Sequence, residues 1–438
     1  MTSILVERLA PASRGDDNSK NMRYKLLMDH FPTLESLDVN GKTVLVRLDL
    51  NVPMHAGRVT DATRITRIVP TLQYLMERDA KVVILSHLGR PKGFDPGQSL
   101  APLVDIISKE LWDRPVRFSP DCVGNTAKMA VAGMNPGDVL LMENLRFHGE
   151  EEANDSDFAK AMASLGDCYV NDAFSCSHRA HASVVGLNPY LPAAAGRLMQ
   201  EEIAALSAAL NAPKRPLAAI VGGSKVSTKL ELLGNLVEKV DHLIIGGAMA
   251  NTFLHAQGIN VGASLCESDM APTARDILTL AAEKKCNVVL PVDVVVAKQF
   301  KAHAAGMVCD VKNIPADGMV LDIGPRSLLA LQQVISDSKT LVWNGPVGAF
   351  ETSPFDATTV QIARMIASAS RAGTLHSVAG GGDTVAALAH AGLSNELSYL
   401  STAGGAFLEW LEGKALPGIE ALMDTSINST LASKLLAM

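Results

Sequence analysis

Residues 44–51 read Val44-Leu45-Val46-Arg47-Leu48-Asp49-Leu50-Asn51, an apolar run that ends in polar side chains. A second run, Val82-Val83-Ile84-Leu85-Ser86-His87-Leu88-Gly89-Arg90, ends in the same way, and residues 139–146 and 169–172 repeat the pattern. Near-continuous apolar runs are typical of strands buried on both faces of a parallel sheet. Ligands of such a sheet collect outside the carboxyl ends of its strands. The sequence therefore predicts a parallel sheet whose polar strand ends converge on one binding crevice.

Arginines accompany these strand ends. The pattern assigns Arg64, Arg90 and Arg146 to them, and Arg179 follows the run at 169–172. A guanidinium group can bind a carboxylate or a phosphate through two parallel hydrogen bonds. The alternative for any one of these arginines is a surface ion pair. Their shared position favours a small, highly anionic substrate.

Glycine takes the place of arginine at the strand ends of the second half. The four turns concerned are Gly222-Gly223-Ser224-Lys225, Gly246-Gly247, Gly380-Gly381-Gly382-Asp383-Thr384 and Thr402-Ala403-Gly404-Gly405. Glycine lets the backbone approach a ligand closely, and a turn that opens a helix adds free N–H groups and the positive end of the helix dipole. A single glycine-rich turn is usually only a tight connection, but four in one half indicate phosphate binding.

Two lysines, Lys225 and Lys229, follow the first of these turns. They would share one face of a helix if that helix began near Ser224. Lysines at this spacing usually form a solvated helix face, but after two glycines they are placed to meet phosphates. The common nucleotide motifs are missing, because Gly41-Lys42-Thr43 imitates a P-loop with Ser36 where its first glycine is required, and no G-x-G-x-x-G opens an early strand–helix unit.

Asp383 follows three glycines and would lie beside phosphates bound at a helix start, where its negative charge repels them. A bound Mg²⁺ removes that conflict, because hard oxygen ligands and nucleotide phosphates are the usual surroundings of this ion. The alternative role for Asp383 is that of a helix N-cap. The second half is therefore predicted to hold a magnesium–nucleotide site.

Several long motifs resemble, in order and spacing, those of phosphoglycerate kinases. They are Arg47-Leu48-Asp49-Leu50-Asn51-Val52-Pro53, Ser86-His87-Leu88-Gly89-Arg90-Pro91, Glu143-Asn144-Leu145-Arg146-Phe147, Asn171-Asp172-Ala173-Phe174 with His178-Arg179-Ala180-His181, Gly222-Gly223-Ser224-Lys225-Val226-Ser227, Trp343-Asn344-Gly345-Pro346-Val347-Gly348 and Gly380-Gly381-Gly382-Asp383-Thr384. The resemblance extends from about Leu34 to about Gly418. With the strand–helix alternation, it implies an α/β protein of two doubly wound parallel-sheet domains that face a central cleft and are joined by a connecting helix.

The resemblance also implies residue roles. Catalytic roles fall on Arg64, Lys225, Gly382 and Gly405. The implied 3-phosphoglycerate site comprises Asp49, Leu50, Asn51, Arg64, His87, Leu88, Gly89, Arg90, Arg146 and Arg179. The implied nucleotide site comprises Lys229, Asn344, Glu351, Gly381, Gly382, Asp383 and Thr384, with Asp383 as the Mg²⁺ ligand. One position departs from the family pattern, since Ala403 stands where glycine is usual, and it would be strained if that position requires a positive φ.

The implied activity is reversible, Mg²⁺-dependent phosphoryl transfer between 1,3-bisphosphoglycerate with ADP and 3-phosphoglycerate with ATP, as in glycolysis, gluconeogenesis or carbon fixation. In the direction that consumes ATP the nucleophile is a carboxylate that is already ionised, so no general base is required. The protein must instead supply positive charge and alignment. His87 and His181 are accordingly expected to contact phosphate or to make structural hydrogen bonds.

Two other functions are weighed against this one. A nonenzymatic phosphometabolite sensor would retain the arginines but would have little reason to keep Lys225, Asp383 and Glu351 together. A different acyl-phosphate kinase would share the nucleotide half and would differ at Asp49 and Asn51. Both alternatives remain, and a coupled assay with 3-phosphoglycerate against acetate as the phosphoryl acceptor separates them.

Four segments are predicted along the chain. Residues 1–28 are predicted to be a disordered extension with Met22 and Met28 as alternative starts, 29–205 a 3-phosphoglycerate domain, 206–422 a nucleotide domain, and 423–438 a segment that returns to the first domain. The alanine-rich stretch 199–210 is the predicted connecting helix, and the helix around Glu201–Leu210 is the predicted hinge. Because each domain would hold one substrate, the domains are expected to close for in-line transfer.

Composition fits a cytoplasmic enzyme. The 438 residues are 47% hydrophobic and 19% charged, which is enough for two cores. A formal net charge of −7 argues against general nucleic-acid affinity. The six cysteines form no C-x-x-C pair, so reduced thiols are expected, and no apolar run has membrane-spanning length. The expected partners are therefore small-molecule substrates only, and a monomer is implied by the family resemblance.

Overall fold

The computed structural model describes residues 31–55 and 57–423, which form two compact units. The first unit comprises residues 31–204 together with 415–423, and the second comprises residues 205–414. The chain returns to the first unit at residue 415, whereas the sequence analysis predicts that the returning segment begins at residue 423. The predicted extension 1–28 and residues 424–438 lie outside the described residues.

The first unit is built on a parallel sheet. Its strands are β1 (Thr43–Arg47), β2 (Met54–His55), β3 (Arg58–Val59), β4 (Lys81–Leu85), β5 (Val116–Ser119), β6 (Val139–Met142), β7 (Cys168–Asn171) and β8 (Ala193–Ala195). Strands β2 and β3 form a separate hairpin, and the other six form an all-parallel sheet in the order β5-β6-β4-β1-β7-β8. The chain extends the sheet from β1 first to one side and then to the other. The end of β1 therefore lies at the reversal of strand order, where doubly wound sheets bind ligands.

Helices cover this sheet through an apolar core. The α-helices are Thr63–Met76, Val104–Glu110, Gly124–Ala132, Gly149–Glu152 and Ser156–Ala163, with 3₁₀ turns at Leu34–Ser36, Pro96–Gln98, Ala101–Leu103, Leu145–Phe147 and Phe174–Cys176 and a π-helical turn at Ala182–Gly186. In the first helix Ile65, Ile68 and Leu72 recur at helical spacing and are buried. They belong to the same core cluster as Val44 and Val46 of β1, so that helix is packed on the central strand.

The second unit carries a second parallel sheet. Its strands are β9 (Leu217–Val221), β10 (His242–Ile245), β11 (Asn287–Val289), β12 (Asp293–Ala297), β13 (Met307–Asp310), β14 (Met319–Ile323), β15 (Thr340–Asn344), β16 (His376–Gly380) and β17 (Tyr399–Ser401). The parallel sheet has the order β11-β10-β9-β15-β16-β17, so its strand order reverses between β9 and β15. Strands β12, β13 and β14 form a small antiparallel sheet that the sequence analysis does not anticipate.

The helices of the second unit follow its strands in alternation. They are Leu230–Lys239, Gly247–Ala256, Ala271–Lys284, Pro325–Asp337, Ala357–Arg371, Gly382–His390 and Gly405–Leu411, with 3₁₀ turns at Ser268–Met270 and Val311–Asn313. The predicted connecting stretch lies within one helix, Arg197–Leu210, and residues 417–423 are also helical. The predicted fold class of two doubly wound parallel α/β domains is confirmed.

Asp172, which follows β7, places its buried carboxyl group against the first turn of the helix Arg197–Leu210. Its Oδ1 accepts a hydrogen bond from the backbone N–H of Met199 (2.9 Å), and its carboxyl group fills the space that a Cβ on Gly196 would need. Burial raises the pKa of Asp172 to about 7. A carboxyl group whose pKa is raised by folding binds its proton more tightly in the folded protein. Its contribution to stability is complete at low pH and is lost as the pH rises through about 7.

We expect Asp172→Asn to weaken the pH dependence of stability. The free energy of unfolding of the variant, minus that of the wild-type protein, should rise by up to about 4 kcal/mol between roughly pH 4 and pH 8. Urea denaturation across that range measures this difference. Asp322, whose pKa is also raised to about 7 by burial, is present in both proteins and cancels. A difference that stays constant with pH would exclude Asp172 as the titrating group.

Candidate active site

The carboxylate of Asp49 organises the polar end of β1. Asp49 is buried, and its Oδ2 accepts hydrogen bonds from Nη1 of Arg64 (2.7 Å) and from the hydroxyl of Ser175. Its Oδ1 accepts one from the backbone N–H of Asn51 (3.0 Å). Both oxygens are thus held by donors, which makes Asp49 a fixed anion around which the neighbouring groups are oriented.

Arg64 does not lie at a strand end, and the sequence prediction is wrong on this point. It is the second residue of the helix Thr63–Met76. The first turn of that helix nevertheless lies so close to the end of β1 that Nη1 of Arg64 reaches both Asp49 and the carbonyl oxygen of Asn51 (2.9 Å). Arg64 therefore lies on a helix and not at a strand end, but it still contacts Asp49 and Asn51 of the predicted site.

Asn51 joins the end of β1 to the end of β4. Its Oδ1 accepts a hydrogen bond from the N–H of Gly89 (2.9 Å), and the carbonyl oxygen of Gly89 accepts one from Nη1 of Arg146 (2.6 Å). Gly89 has a φ of 64°, and a Cβ there would lie 1.9 Å from the side chain of Gln98, so the turn requires glycine. The ends of β1, β4 and β6 are thereby connected.

His87 is buried among positive charges. Burial, followed by the charges of Arg47, Arg146, Arg179 and His181, holds the pKa of His87 well below its ordinary value. Burial and the same arginines lower the pKa of His181 to about 4. Both rings are therefore neutral at neutral pH. Because the same charges act on both rings, the predicted arginines of β6 and of the segment after β7 share one region.

The remaining predicted residues of this region differ in exposure. Arg90 is exposed, whereas Arg179 is half-buried and its Nε donates to Nε2 of His178 (3.1 Å). The side chains of Leu50 and Leu88 lie in the hydrophobic core. A ligand contact from either leucine would therefore have to come from its backbone atoms.

The turns after β9 and β15 meet where the second sheet reverses its strand order. A Cβ on Gly222 would lie 1.8 Å from the carbonyl oxygen of Pro346, so this approach requires glycine. The N–H of Gly222 donates to the carbonyl oxygen of Asn344 (2.9 Å), and Nδ2 of Asn344 donates to the carbonyl oxygen of Gly380 (2.9 Å). Three strand ends are thus linked at the position where such sheets bind ligands.

Lys225 and Lys229 would share a helical face only if a helix began near Ser224, and that condition is not met. The helix begins only at Leu230, and the residues before it form a turn. Lys225 is exposed, whereas Nζ of Lys229 donates to the carbonyl oxygen of Gly222 (2.6 Å) and to Oδ1 of Asn344 (2.7 Å). Burial lowers the pKa of Lys229 to about 8.

Asp383 lies in the first turn of the helix Gly382–His390, so the N-cap alternative is wrong. Gly381 is the N-cap and has a φ of 95°. The carboxylate of Asp383 is exposed, and its charge acts on Lys229 in the direction that raises the lysine pKa. An anion and a cation therefore face the same helix start.

The side chain of Thr384 makes a hydrogen bond within the protein. It is fully buried, and its Oγ1 accepts a hydrogen bond from the N–H of Gly345 (2.7 Å). A Cβ on Gly381 would lie 2.5 Å from Nδ2 of Asn344. The hydrogen bond from Gly345 fixes the start of the helix Gly382–His390 beside the turn after β15, and the close approach of Asn344 leaves no room for a side chain at Gly381.

A cavity of about 340 Å³ opens beside these turns. Glu351 and Asp383 line it, together with Gly223 and Ser224. Much of the remaining wall is apolar and includes Leu265, Pro291, Phe300, Val320, Leu321 and Val347. An apolar slot with a few polar groups at its edge is typical of small-molecule sites. The sequence analysis missed these apolar residues, which come from separate segments and form no local motif.

Ala403 occupies an unstrained position. The φ of Ala403 is not positive. Gly404, which has a φ of 55°, is the N-cap of the helix Gly405–Leu411. The turn follows β17, which pairs with β16 through Gly380 and Ser401. The strain that Ala403 would have caused is therefore absent, and the turn that contains Gly405 lies next to the turn after β16.

We expect Ala403→Gly to lower the free energy of unfolding by about 0.4–1 kcal/mol, because glycine adds conformational freedom to the unfolded chain. The kcat should stay unchanged. Gly404→Ala is the matched variant, and it should lose about 1–3 kcal/mol because alanine is strained at that φ. Urea denaturation and initial rates measure both. Equal losses for the two variants would contradict the assignment of strain to residue 404.

The family model of phosphoglycerate kinase matches residues 34–414. The chain belongs to the phosphoglycerate kinase family. It is 58% identical over 395 residues to the phosphoglycerate kinase of Azorhizobium caulinodans and 59% identical over 395 residues to that of Xanthobacter autotrophicus. Each of these alignments covers 90% of this chain and 100% of the relative.

Solved structures of phosphoglycerate kinases share the fold. That of Coxiella burnetii matches with a TM-score of 0.84 and 43% identity, covering 90% of this chain and 100% of that one. That of Pyrococcus horikoshii matches with a TM-score of 0.76 and 30% identity, covering 91% and 100%. The two-domain fold is thus common to the described chain and these enzymes.

Membership of the phosphoglycerate kinase family makes the chain a phosphotransferase with a carboxyl group as acceptor. It transfers a phosphoryl group reversibly between 1,3-bisphosphoglycerate with ADP and 3-phosphoglycerate with ATP, a step of glycolysis. The predicted function is confirmed. A nucleotide and a small phosphorylated acid are therefore its substrates.

Two general properties of this phosphoglycerate kinase family member follow from the described residues. All six cysteines are free thiols, as predicted. Across residues 31–55 and 57–423, every helix is too short or too polar to cross a membrane.

Proposed function

We propose that the first unit binds 3-phosphoglycerate at the carboxyl ends of β1, β4 and β6. Asp49 and Asn51 hold the glycerate hydroxyl end. The groups that bind its phosphate and carboxylate are Arg64, His87, Arg90, Arg146 and Arg179, with backbone atoms of Leu50, Leu88 and Gly89. The observation that carries this assignment is the set of hydrogen bonds that joins Arg64 to Asp49 and Asn51, and Asn51 through Gly89 to Arg146. Burial first, and then the positive charges of the neighbouring arginines, lower the pKa of His87 in the same region. Such a field favours a small ligand with several negative charges.

The nucleotide is proposed to bind in the second unit. The apolar wall of the 340 Å³ cavity suits the base, and Glu351 at its edge suits the ribose hydroxyls. The phosphates are assigned to the turns after β9, β15 and β16, through Lys229, Asn344, Gly381, Gly382, Asp383 and Thr384. Nζ of Lys229 donates a hydrogen bond to Oδ1 of Asn344, so the two side chains would contact the phosphates together. Thr384 contributes by fixing the turn.

A Mg²⁺ ion is proposed to bind with the nucleotide, and the donor set fits it. Asp383 is an exposed carboxylate at the edge of the cavity, on the first turn of a helix. Mg²⁺ is commonly held by one or two carboxylates, with substrate phosphates and water completing its ligands. When bound, the ion would neutralise charge on the phosphates. Without it, Asp383 would repel them.

The proposed catalysis is electrostatic. The acceptor carboxylate of 3-phosphoglycerate is ionised at neutral pH, so the neutral rings of His87 and His181 are not needed as bases. Arg64 and Lys225 stabilise the phosphoryl group in transit, and Gly382 and Gly405 supply backbone N–H groups at two helix starts. Positioning by Asp49 and Lys229 supplies the alignment that in-line transfer requires.

The decisive test of the acceptor is a coupled assay with ATP and either 3-phosphoglycerate or acetate. We expect turnover with 3-phosphoglycerate and at least about a thousandfold lower kcat/KM with acetate, because acetate lacks the phosphate that the arginines bind. Comparable turnover with acetate would favour a different acyl-phosphate kinase. Binding of 3-phosphoglycerate without turnover would favour a sensor.

The chain is further proposed to act as a cytoplasmic monomer that binds neither nucleic acid nor membrane. Its free thiols and its net charge of −7 support this assignment. Sedimentation velocity at micromolar concentration tests the monomer, and a dimer under those conditions would contradict it.

Lys229 should make nucleotide binding depend on pH. Burial lowers its pKa to about 8, so the ammonium loses its proton as the pH rises through that value. Bound phosphate favours the charged form, and binding near pH 8 should therefore take up a fraction of a proton. Affinity for ADP should fall from pH 7 to pH 9.

Calorimetry of ADP binding in buffers of different ionisation enthalpy measures this proton uptake. Lys229→Arg keeps a permanent charge, so it should remove the uptake and the loss of affinity above pH 8. Equal proton uptake in the two proteins would show that another group titrates.

A further inference from the structure

Arg47, the last residue of β1, is buried and carries no role in the predicted site. A buried guanidinium group requires acceptors for its N–H groups. Its Nε donates to Oγ of Ser183 (2.8 Å), and its Nη1 donates to the carbonyl oxygen of Leu48. Its Nη2 lies 3.0 Å from Nδ1 of His87 and 3.7 Å from Sγ of Cys176. The guanidinium plane is therefore fixed on three sides.

The contact between Arg47 and His87 decides the position of the imidazole proton. A guanidinium group has only N–H donors and stays protonated. Nδ1 of His87 must therefore accept, which requires that its lone pair is free. In a neutral imidazole the proton then resides on Nε2. His87 is thus a hydrogen-bond donor through Nε2 and cannot act there as an acceptor.

The other charged and titratable groups around His87 do not change this assignment. Those that act on the ring are Arg146, Arg179 and His181, and the side chains of Asp49 and Cys176 have polar atoms within 4.8 Å of a ring nitrogen. Burial and the arginines disfavour a second proton on His87. The ring stays neutral, and the contact of its Nδ1 with Arg47 places the proton on Nε2.

Arg47 is itself oriented by a buried acid. Oγ of Ser183, which accepts from Nε of Arg47, donates to Oε1 of Glu151 (2.5 Å), and the N–H of Ser183 donates to Oε2 of Glu151 (2.9 Å). Glu151 is fully buried. A chain of hydrogen bonds therefore runs from Glu151 through Ser183 and Arg47 to His87.

We infer that Arg47 is a positioning residue for phosphoryl transfer, which fixes His87 as the Nε2–H tautomer and so presents the anionic substrate with a neutral donor whose state does not change with pH. This inference rests on the proposed contact between His87 and 3-phosphoglycerate. The other tautomer would present an unprotonated Nε2, and its lone pair would repel the phosphate or carboxylate of the substrate. Arg47 removes that tautomer.

The tautomer can be measured in the intact wild-type protein by two-dimensional ¹H–¹⁵N NMR of the histidine side chains. The His87 signals are assigned by their loss in His87→Gln. We expect an Nε2–H tautomer that does not titrate between pH 5 and pH 8. A ring that carries its proton on Nδ1, or that titrates in this range, would overturn the inference without any Arg47 variant.

Three variants test the role of Arg47. Arg47→Met should release the Nδ1–H tautomer or allow titration, and it should raise the KM for 3-phosphoglycerate about tenfold, as expected for one hydrogen bond to a charged group. Ser183→Ala keeps the guanidinium and its contact with His87 but removes one of the acceptors that orient it, so it should shift the His87 tautomer less than Arg47→Met does. A folded Arg47→Met that keeps the Nε2–H form would contradict the inference.

Arg47→Lys provides a second route if Arg47→Met does not fold, because it keeps the buried charge but loses the guanidinium fork. It should raise the KM in the wild-type background and change it less than about twofold in His87→Gln, whose amide has no tautomer. Equal effects in both backgrounds would show that Arg47 does not act through His87. An unchanged KM in His87→Gln alone would instead refute the proposed substrate contact of His87, which the NMR result does not test.

Discussion

Arg64→Ala should lower kcat by about 100-fold or more while leaving the Kd for ADP unchanged. A cation that faces the transferring phosphoryl group stabilises charge mainly in the transition state, and removing one such donor typically has this effect. The proposed nucleotide site lies on the second unit, whereas Arg64 lies on the first unit and donates to Asp49 and to the backbone of Asn51. Steady-state kinetics with both substrates and calorimetry with ADP measure the two quantities.

Arg64→Lys separates two ways in which Arg64 could act. Nη1 of Arg64 both carries charge and donates to the carboxylate of Asp49 at 2.7 Å. Lysine keeps the charge but not the planar set of donors. If charge dominates, Arg64→Lys should recover much of the lost kcat. If the arrangement of Asp49 dominates, the KM for 3-phosphoglycerate should rise in both variants. An unchanged kcat in Arg64→Ala would remove Arg64 from the transfer step.

The strand ends were predictable because their signal is local. Strands buried on both faces must be apolar throughout, so the polar residues after Arg47 and Leu85 mark where β1 and β4 leave the core. Parallel strands that lie side by side end at the same edge, which brought Asn51 and Gly89 together as expected. The sheet and the polar edge therefore follow from sequence pattern and the geometry of parallel strands.

The errors concern the elements that follow the strand ends. The sequence pattern assigns Arg64 to a strand end, but Arg64 lies on a helix, and the helix that would have placed Lys225 and Lys229 on one face begins only at Leu230. These residues are positioned by partners far away in sequence, since Nζ of Lys229 bonds to Asn344. Such contacts depend on how loops cross between strands, and no local periodicity records that path.

The apolar wall of the 340 Å³ cavity could not be predicted for a related reason. Leu265 and Phe300 lie in segments between named elements, Leu321 lies within β14, and each is an ordinary apolar residue in its own segment. Their common property, facing one cavity, exists only in the folded unit. The glycine turns were found because glycine has a conformational reason to be there, whereas an apolar wall residue has only a packing reason.

Asp383→Asn should raise the Mg²⁺ concentration required for half-maximal activity at least about tenfold. A carboxylate ligand of Mg²⁺ supplies a full negative charge that an amide lacks, and even indirect contacts to metal ligands are worth about 10–100-fold in affinity. Asp383 is exposed at the edge of the cavity, so the substitution should not disturb the packing of the helix Gly382–His390. Initial rates in a magnesium titration at fixed total ATP measure the effect.

Glu351→Gln is the matched control, because Glu351 is a second carboxylate on the wall of the same cavity. It should raise the KM for ATP without shifting the Mg²⁺ requirement. A magnesium titration of Asp383→Asn that coincides with that of the wild-type protein would refute the metal assignment.

The affinity of Asp383→Asn for ATP, measured with and without Mg²⁺, provides a second test of Asp383. In the absence of Mg²⁺ the carboxylate faces the phosphates directly, and like charges repel. Asp383→Asn should therefore bind ATP more tightly than the wild-type protein in the presence of EDTA, and more weakly when Mg²⁺ is present at the level the wild-type protein requires. Asp383→Asn should also lower the pKa of Lys229, because the charge of Asp383 acts to raise that pKa. A variant that binds ATP more weakly under both conditions would show that Asp383 contributes structure and not a metal ligand, since only a ligand reverses its effect when the ion is removed.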